Sequence, residues 1–207
     1  AGDLRLDAAS LDLKASETAG RNVTLTARAG GADLSGAALN ATATLNTSVQ
    51  QALTTDNAKV NAESIQLAAG SLSNHQGEIV QVGKGTTVIA VTGSLDNADG
   101  RIASNATDVS LSAAALSNAK GRIEHAGAGT LTLQGQALTG AQGSLQSNGL
   151  LQVTVADAVL DGATTVARQI QIDANQLSNR QGNILQTGAG TLRINTMGLL
   201  DNTGATV

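Results

Sequence analysis

The chain reads as an all-β fold, a parallel β-helix (solenoid) with about three short strands in each coil of about 22 residues, and three observations predict it. The first is a tandem frame, Leu-x-Asn-x-x-Gly-x-Ile. It opens at Leu72, Leu95, Leu116 and Leu138, steps of 23, 21 and 22 residues. The second is a set of apolar-polar-apolar triplets, such as Ile65-Gln66-Leu67 and Val109-Ser110-Leu111, each ending five residues before a frame leucine. The third is composition: no Phe, Tyr, Trp or Pro, but 24 Gly. A core without aromatics must be thin enough for Leu, Ile, Val and Ala to fill. Pro cannot donate to a ladder and is excluded from central strands, so a chain made mostly of stacked strand leaves the turning to Gly. With 41% hydrophobic residues in regular alternation, disorder is the poorer reading.

Taken in order, residues 1–63 are the less regular coils. Leu4-Arg5-Leu6, Leu11-Asp12-Leu13 and Val23-Thr24-Leu25 alternate as half-buried strands do. Residues 35–62 are the least patterned stretch and leave room for a loop or excursion. The regular array runs over 64–207. Its triplets continue as Leu131-Thr132-Leu133, Val153-Thr154-Val155, Ile170-Gln171-Ile172 and Leu192-Arg193-Ile194, leading to Leu138, Leu160, Leu177 and Leu199. Val88 to Val91 stands one residue out of phase. Residues 158–168 break the frame, so the step from Leu160 to Leu177 shrinks to 17 residues and predicts a shortened coil. Tandem βαβ units are excluded because the gaps between triplets cannot hold a helix of about 10 residues. The pattern is already running at Ala1 and still running at Val207, as expected of a segment of a longer protein.

The recurring polar positions read as structural. Asn74, Asn97, Asn118 and Asn179 fall at equivalent corners, where identical side chains on stacked coils form a ladder. Gly77, Gly100, Gly121, Gly143 and Gly182 read as turn residues adopting a backbone conformation closed to other residues. His125 aligns with Gln81, Ser104, Ser147 and Gln186 in a polar column, and His75 occupies a permissive turn slot. Neither histidine has a second His, a Cys or a carboxylate at ligand spacing, so no catalytic, metal or cofactor-binding residue is expected. Matching slots place Glu78 beside Arg101 and Asp99 beside Lys120 as register-pinning pairs. Arg101 and Arg122, like-charged neighbours, read as a solvated face rather than a basic binding strip.

Composition excludes several function classes. A net charge of -4 with dispersed basic residues argues against nucleic acid as a partner. The absence of Cys removes disulfides and thiolate metal sites. No apolar run is long enough to span a bilayer, and no calcium-roll nonapeptide, nucleophile elbow or phosphate loop occurs. Glycan-acceptor patterns begin at Asn22, Asn40, Asn46 and Asn105, as chance matches do in an Asn- and Thr-rich chain. A polysaccharide lyase or hydrolase on a β-helix would need convergent carboxylates and commonly uses aromatics, neither of which is present.

The Leu-Ser/Asp-Asn-x-x-Gly-x-Ile frame, followed by strands such as Gly129-Thr130-Leu131-Thr132-Leu133, resembles the filamentous haemagglutinin repeats of large bacterial exoproteins. The resemblance is good over Ser64 to Val207 and loose before it. It implies a right-handed parallel β-helix shaft, secreted to the cell surface through an outer-membrane two-partner secretion transporter. Such proteins include adhesins, haemolysins and stalks of contact-dependent growth-inhibition toxins. The expectation is a non-enzymatic structural and adhesive filament segment whose partner is a host or neighbouring-cell receptor or glycan. The toxin-delivery stalk is the alternative. Any contact surface is expected at the breaks in the repeat, 35–62 and 158–168.

Overall fold

The computed structural model describes residues 2–207. Twenty strands, all paired in parallel, form the structure, and no helix occurs among the described residues. The strands stack in three columns, and each coil contributes one short segment to each column.

The first column begins directly after a turn and runs from Glu17–Gly20 through Glu78–Gln81 and Arg122–His125 to Asn183–Gln186. The second begins at Leu4–Ala8 and continues through Val23–Ala27, Ile65–Ala69 and Val109–Ser112 to Arg193–Thr196. The third stacks Leu11, Ala32, Leu53, Leu72, Leu95, Leu116, Leu138, Ala158, Leu177 and Leu200. Strand alternation sends every second residue inward, so the core is a set of vertical aliphatic rows. Leu45, Ile65 and Leu131 occupy one row, Ile79, Ile102 and Ile123 another, all buried. Full burial contributes about 1.5–3 kcal/mol per such side chain, and each face of a coil is covered only by its neighbour.

Each coil closes with a four-residue turn in which the fourth residue's N–H donates to the first residue's carbonyl, as Gly100 does to Asn97 at 3.1 Å. The third residue has positive φ: Ala15, Gly36, Asn57, Gln76, Asp99, Lys120, Gln142, Gly162, Gln181 and Gly204. This is the signature of a type II turn. Nine steps separate Ala15 from Gly204, an average of 21 residues per coil.

Here the structure corrects the expectation for the frame glycines. The left-handed residue is the one before each of Gly77, Gly100, Gly121, Gly143 and Gly182, and none of these five has positive φ. They are glycine because a Cβ would collide with the coil below. At Gly100 it would strike the Asn74 carbonyl oxygen and at Gly121 that of Asn97.

The breaks foreseen at 35–62 and 158–168 are absent. Ala38–Thr54 and Lys59–Ser73 are continuous strands in register with each other, and Thr164 to Ala167 pair with both neighbouring coils. Residues 158–165 carry the frame in altered letters. Ala158 takes the leucine slot, Leu160 the asparagine slot, Gly162 the positive-φ position and Ala163 the glycine slot. The second-column triplet is accordingly Leu151-Gln152-Val153, paired with Leu131 to Leu133, not Val153 to Val155. The step from Ala158 to Leu177 is 19 residues rather than 17, and Leu200 rather than Leu199 stacks on Leu177. Alternation runs unbroken from Leu151 to Val155, so both triplets fit period 2, and the register is decided by the stacked neighbours. Val88 points outward because Thr87 takes the inward slot opposite Val109.

Candidate functional site: the polar columns and corners of the solenoid

Three polar systems interrupt the aliphatic core, and each follows from coil geometry. The first is at the turn. Asn74 Nδ2 donates to Asn97 Oδ1 and Asn97 Nδ2 to Asn118 Oδ1, both at 2.7 Å. The three side chains are fully buried. Each Nδ2 also reaches two backbone carbonyls, as Asn97 does with Gly100 (3.4 Å) and Arg122 (3.2 Å). Thr55 Oγ1 donates to Asn74 Oδ1 at 2.9 Å and ends the run below. Above Asn118, the slot holds Gly140 and then Leu160, so the ladder stops. It restarts with Asn179 Nδ2 donating to Asn202 Oδ1 at 2.7 Å. Facing Leu160, the Asn179 Oδ1 is buried without a partner.

Slot and glycine vary together. Where the slot is Asn74, Asn97, Asn118 or Asn179, the residue three later is glycine; where it is Leu34, Thr55 or Leu160, it is Ala37, Ala58 or Ala163. The asparagine oxygen accounts for this: a Cβ on Gly77, Gly121 or Gly182 would press on Oδ1 of its own coil's Asn. This pairing is present in the sequence but not evident without the turn geometry.

The second system lies at the corner between the first and second columns. Gln81, Ser104, His125 and Ser147 are stacked in register and buried. Ser104 Oγ donates to Gln81 Oε1 at 2.7 Å and meets Thr87 Oγ1 at 2.9 Å. The His125 Nε2 lies 3.0 Å from the carbonyls of Ala106 and Thr107, and Nδ1 lies 2.9 Å from Ser147 Oγ. Two carbonyls at Nε2 require the proton there, which leaves Nδ1 accepting from the serine hydroxyl in the neutral ring. A serine beside a histidine suggests a nucleophile and its base, but both are sealed inside the solenoid and no carboxylate orients the ring.

Corner length explains the column. In coils where the chain crosses this corner quickly, as from Ala62 to Ile65 or Ala167 to Ile170, the slot is alanine. Where it takes six steps, from Gln81 to Thr87 or His125 to Leu131, the slot holds a long polar side chain. The longer corners leave backbone groups outside the ladder, and these side chains satisfy them. Gln81 Nε2 donates to the carbonyls of Gly83 and Gly85, and Gln186 Nε2 to those of Gly188 and Gly190. The shorter serines accept from Ala106 N and Gly149 N, each at 3.1 Å.

The third system is on the surface. Arg101 pairs with Glu124 at 2.7 Å, one coil further on, rather than with Glu78, and neither Asp99 nor Lys120 makes an ion pair among the described residues. Lys120 and Asp99 occupy the outward positive-φ slot, where vertical side chains diverge. Arg180 Nε donates to Asp201 Oδ2 at 2.7 Å. The Thr203 hydroxyl, this guanidinium and the Thr203 amide lower the Asp201 carboxyl to about 2. Hydrogen bonds from Arg5 and then Arg28 lower Asp7. His75 sits half-exposed at the second turn position, its amide donating to Asp56 Oδ1 at 2.8 Å. Among the described residues, no group of three or more His, Cys, Asp or Glu could hold a metal ion, and no helix is long and apolar enough to cross a membrane.

No protein-family model matches the chain, and no solved structure does. The chain is 29% identical over 244 aligned residues to a protein named Toxin CdiA from Yersinia pestis. The match covers 94% of this chain and spans 7% of the length of that relative. The stacked parallel coils, their Asn- and Gly-marked turns and this relative together fit a filamentous haemagglutinin-like repeat region of a large two-partner exoprotein.

Proposed function

We propose that this chain is a non-enzymatic shaft segment of a secreted bacterial surface filament, and that the filament presents binding or toxic modules at a distance from the cell that makes it. The observation that carries the reading is the unbroken parallel pairing from Leu4 to Leu200. Ten rows at about 4.8 Å per rung make a rod roughly 45 Å long. The conspicuous polar side chains, His125 included, are engaged in holding the coils together, which leaves them no free chemistry. The relative's printed name favours the stalk of a contact-dependent growth-inhibition toxin over a purely adhesive shaft. On this reading the protein leaves the cell through an outer-membrane two-partner transporter, and its receptor or glycan on a host or neighbouring cell is engaged by the whole filament. The Asn ladder and the frame glycines then set the stacking of coils rather than a binding site.

Deletion of one coil in register tests this in the full-length exoprotein. Removing residues 99–119 joins Ala98 to Lys120 and regenerates the turn Asn97-Ala98-Lys120-Gly121. Secretion and target-cell binding are expected to survive, with the filament shortened by about 4.8 Å. Loss of binding by a secreted, folded protein lacking that coil would place a recognition determinant in the shaft and overturn the reading.

A further inference from the structure

The outward face of the second column is unlike the rest of the surface. From Thr24 to Gln171, through eight coils, it carries no charged residue, whereas Lys59, Glu78, Arg101, Arg122 and Glu124 project from the first column. Each coil shows two outward side chains there. Two depressions of about 420 and 340 Å³ meet on this face, both lined by Ala68 and Ala90.

We propose that this face packs against the same face of a second copy, with the two solenoid axes parallel and related by a two-fold axis along them. Such an axis reverses strand direction, so the first outward residue of each coil meets the second outward residue of the same coil in the partner. The residues match under this operation. Asn46 meets Ser48, Gln66 meets Ala68 and Val88 meets Ala90, a longer side chain over a shorter one in each row. The depressions at Ala68 and Ala90 thus receive Gln66 and Val88 of the other copy. The pattern continues with Gln134 over Thr132 and Gln152 over Thr154. Alternation of large and small side chains is what lets two faces interdigitate. Beyond the neutral strip, Arg5 comes opposite Asp7, whereas a two-fold along the strands would set Arg5 against Arg193 and reverse one rod. Eight rungs of about 4.8 Å and a five-residue strand width give about 600 Å² per copy. The total of roughly 1,200 Å² is the lower end of the range for specific association.

Light scattering of the 207-residue chain at concentrations up to about 100 µM tests the association. A dimer is expected, and the paired variant Ala68→Arg with Ala90→Arg is expected to weaken it at least tenfold. These side chains point outward, so circular dichroism of the variant should match the parent. A monomer throughout, or a dimer that the paired variant leaves intact, would overturn the proposal. The chain has no native cysteine, so oxidation of mixed Gln66→Cys and Ala68→Cys chains reads the arrangement directly. The mixed disulfide should form in preference to either self-pair. Preferential pairing of Gln66→Cys with Thr132→Cys would instead show antiparallel rods and overturn the two-fold assigned here.

Discussion

Asn97 occupies the middle of the longest asparagine run, so replacing it by leucine tests how these coils are joined. The substitution removes three things. Asn74 Nδ2 loses its acceptor at 2.7 Å, keeping only long contacts to Gly77 (3.2 Å) and Arg101 (3.3 Å). Asn118 Oδ1 loses its donor, with no water inside the solenoid to replace it. Arg122 O loses a bond at 3.2 Å. Two net hydrogen bonds at about 1 kcal/mol each, with one buried oxygen orphaned at about 1–3 kcal/mol, give a loss of about 3–5 kcal/mol. Leucine returns part of this through its added apolar burial, leaving an expected loss of about 2–4 kcal/mol. Urea denaturation of wild type and variant, compared at equal m-value, measures it. A change below about 1 kcal/mol would refute the ladder as a stabilising device. The companion Gly100→Ala reproduces the Leu160 and Ala163 combination found in a natural coil. On the Asn97→Leu background it should cost at least 1 kcal/mol less than on wild type, because the asparagine oxygen no longer crowds its Cβ.

Three further outcomes follow from the same geometry. His125→Ala should destabilise by about 2–4 kcal/mol by stranding the carbonyls of Ala106 and Thr107, while His125→Gln, imitating Gln81 and Gln186, should recover at least half of this in thermal or urea unfolding. Lys120→Gly should stabilise by about 0.5–1 kcal/mol, because it relieves a left-handed residue at the price of a freer unfolded chain; the reverse change, Gly162→Lys, should destabilise by a similar amount. Asp201 has a folded pKa lowered to about 2, below an unfolded value of about 3.9, so its contribution is complete above about pH 4 and is lost as pH falls towards 2. Denaturation of wild type and Asp201→Asn at pH 5 and pH 2.5 should therefore show a smaller acid loss in the variant.

Much of this architecture is local and was legible in the residues themselves. Alternation, the spacing of Leu72, Leu95, Leu116 and Leu138, and the lack of aromatics and Pro define stacked short strands, because strand period and coil length are both written along the chain. The in-register placement of Gln81, Ser104, His125 and Ser147 was equally legible, since it needs only a count from the frame. What the residues left undecided were choices between strings of equal local quality. Leu151 to Val155 offers two triplets, and only pairing with Leu131 to Leu133 selects the first. Ala158 to Thr165 looked like a break because its letters differ, yet stacked neighbours hold Ala158 and Leu160 in the leucine and asparagine slots. The frame glycines look like turn glycines in sequence, but the obstacle to a side chain is a carbonyl one coil away, about 20 residues distant along the chain. A single coil cannot contain that information. Local pattern determines that the chain coils, and contact between coils determines which residue faces which.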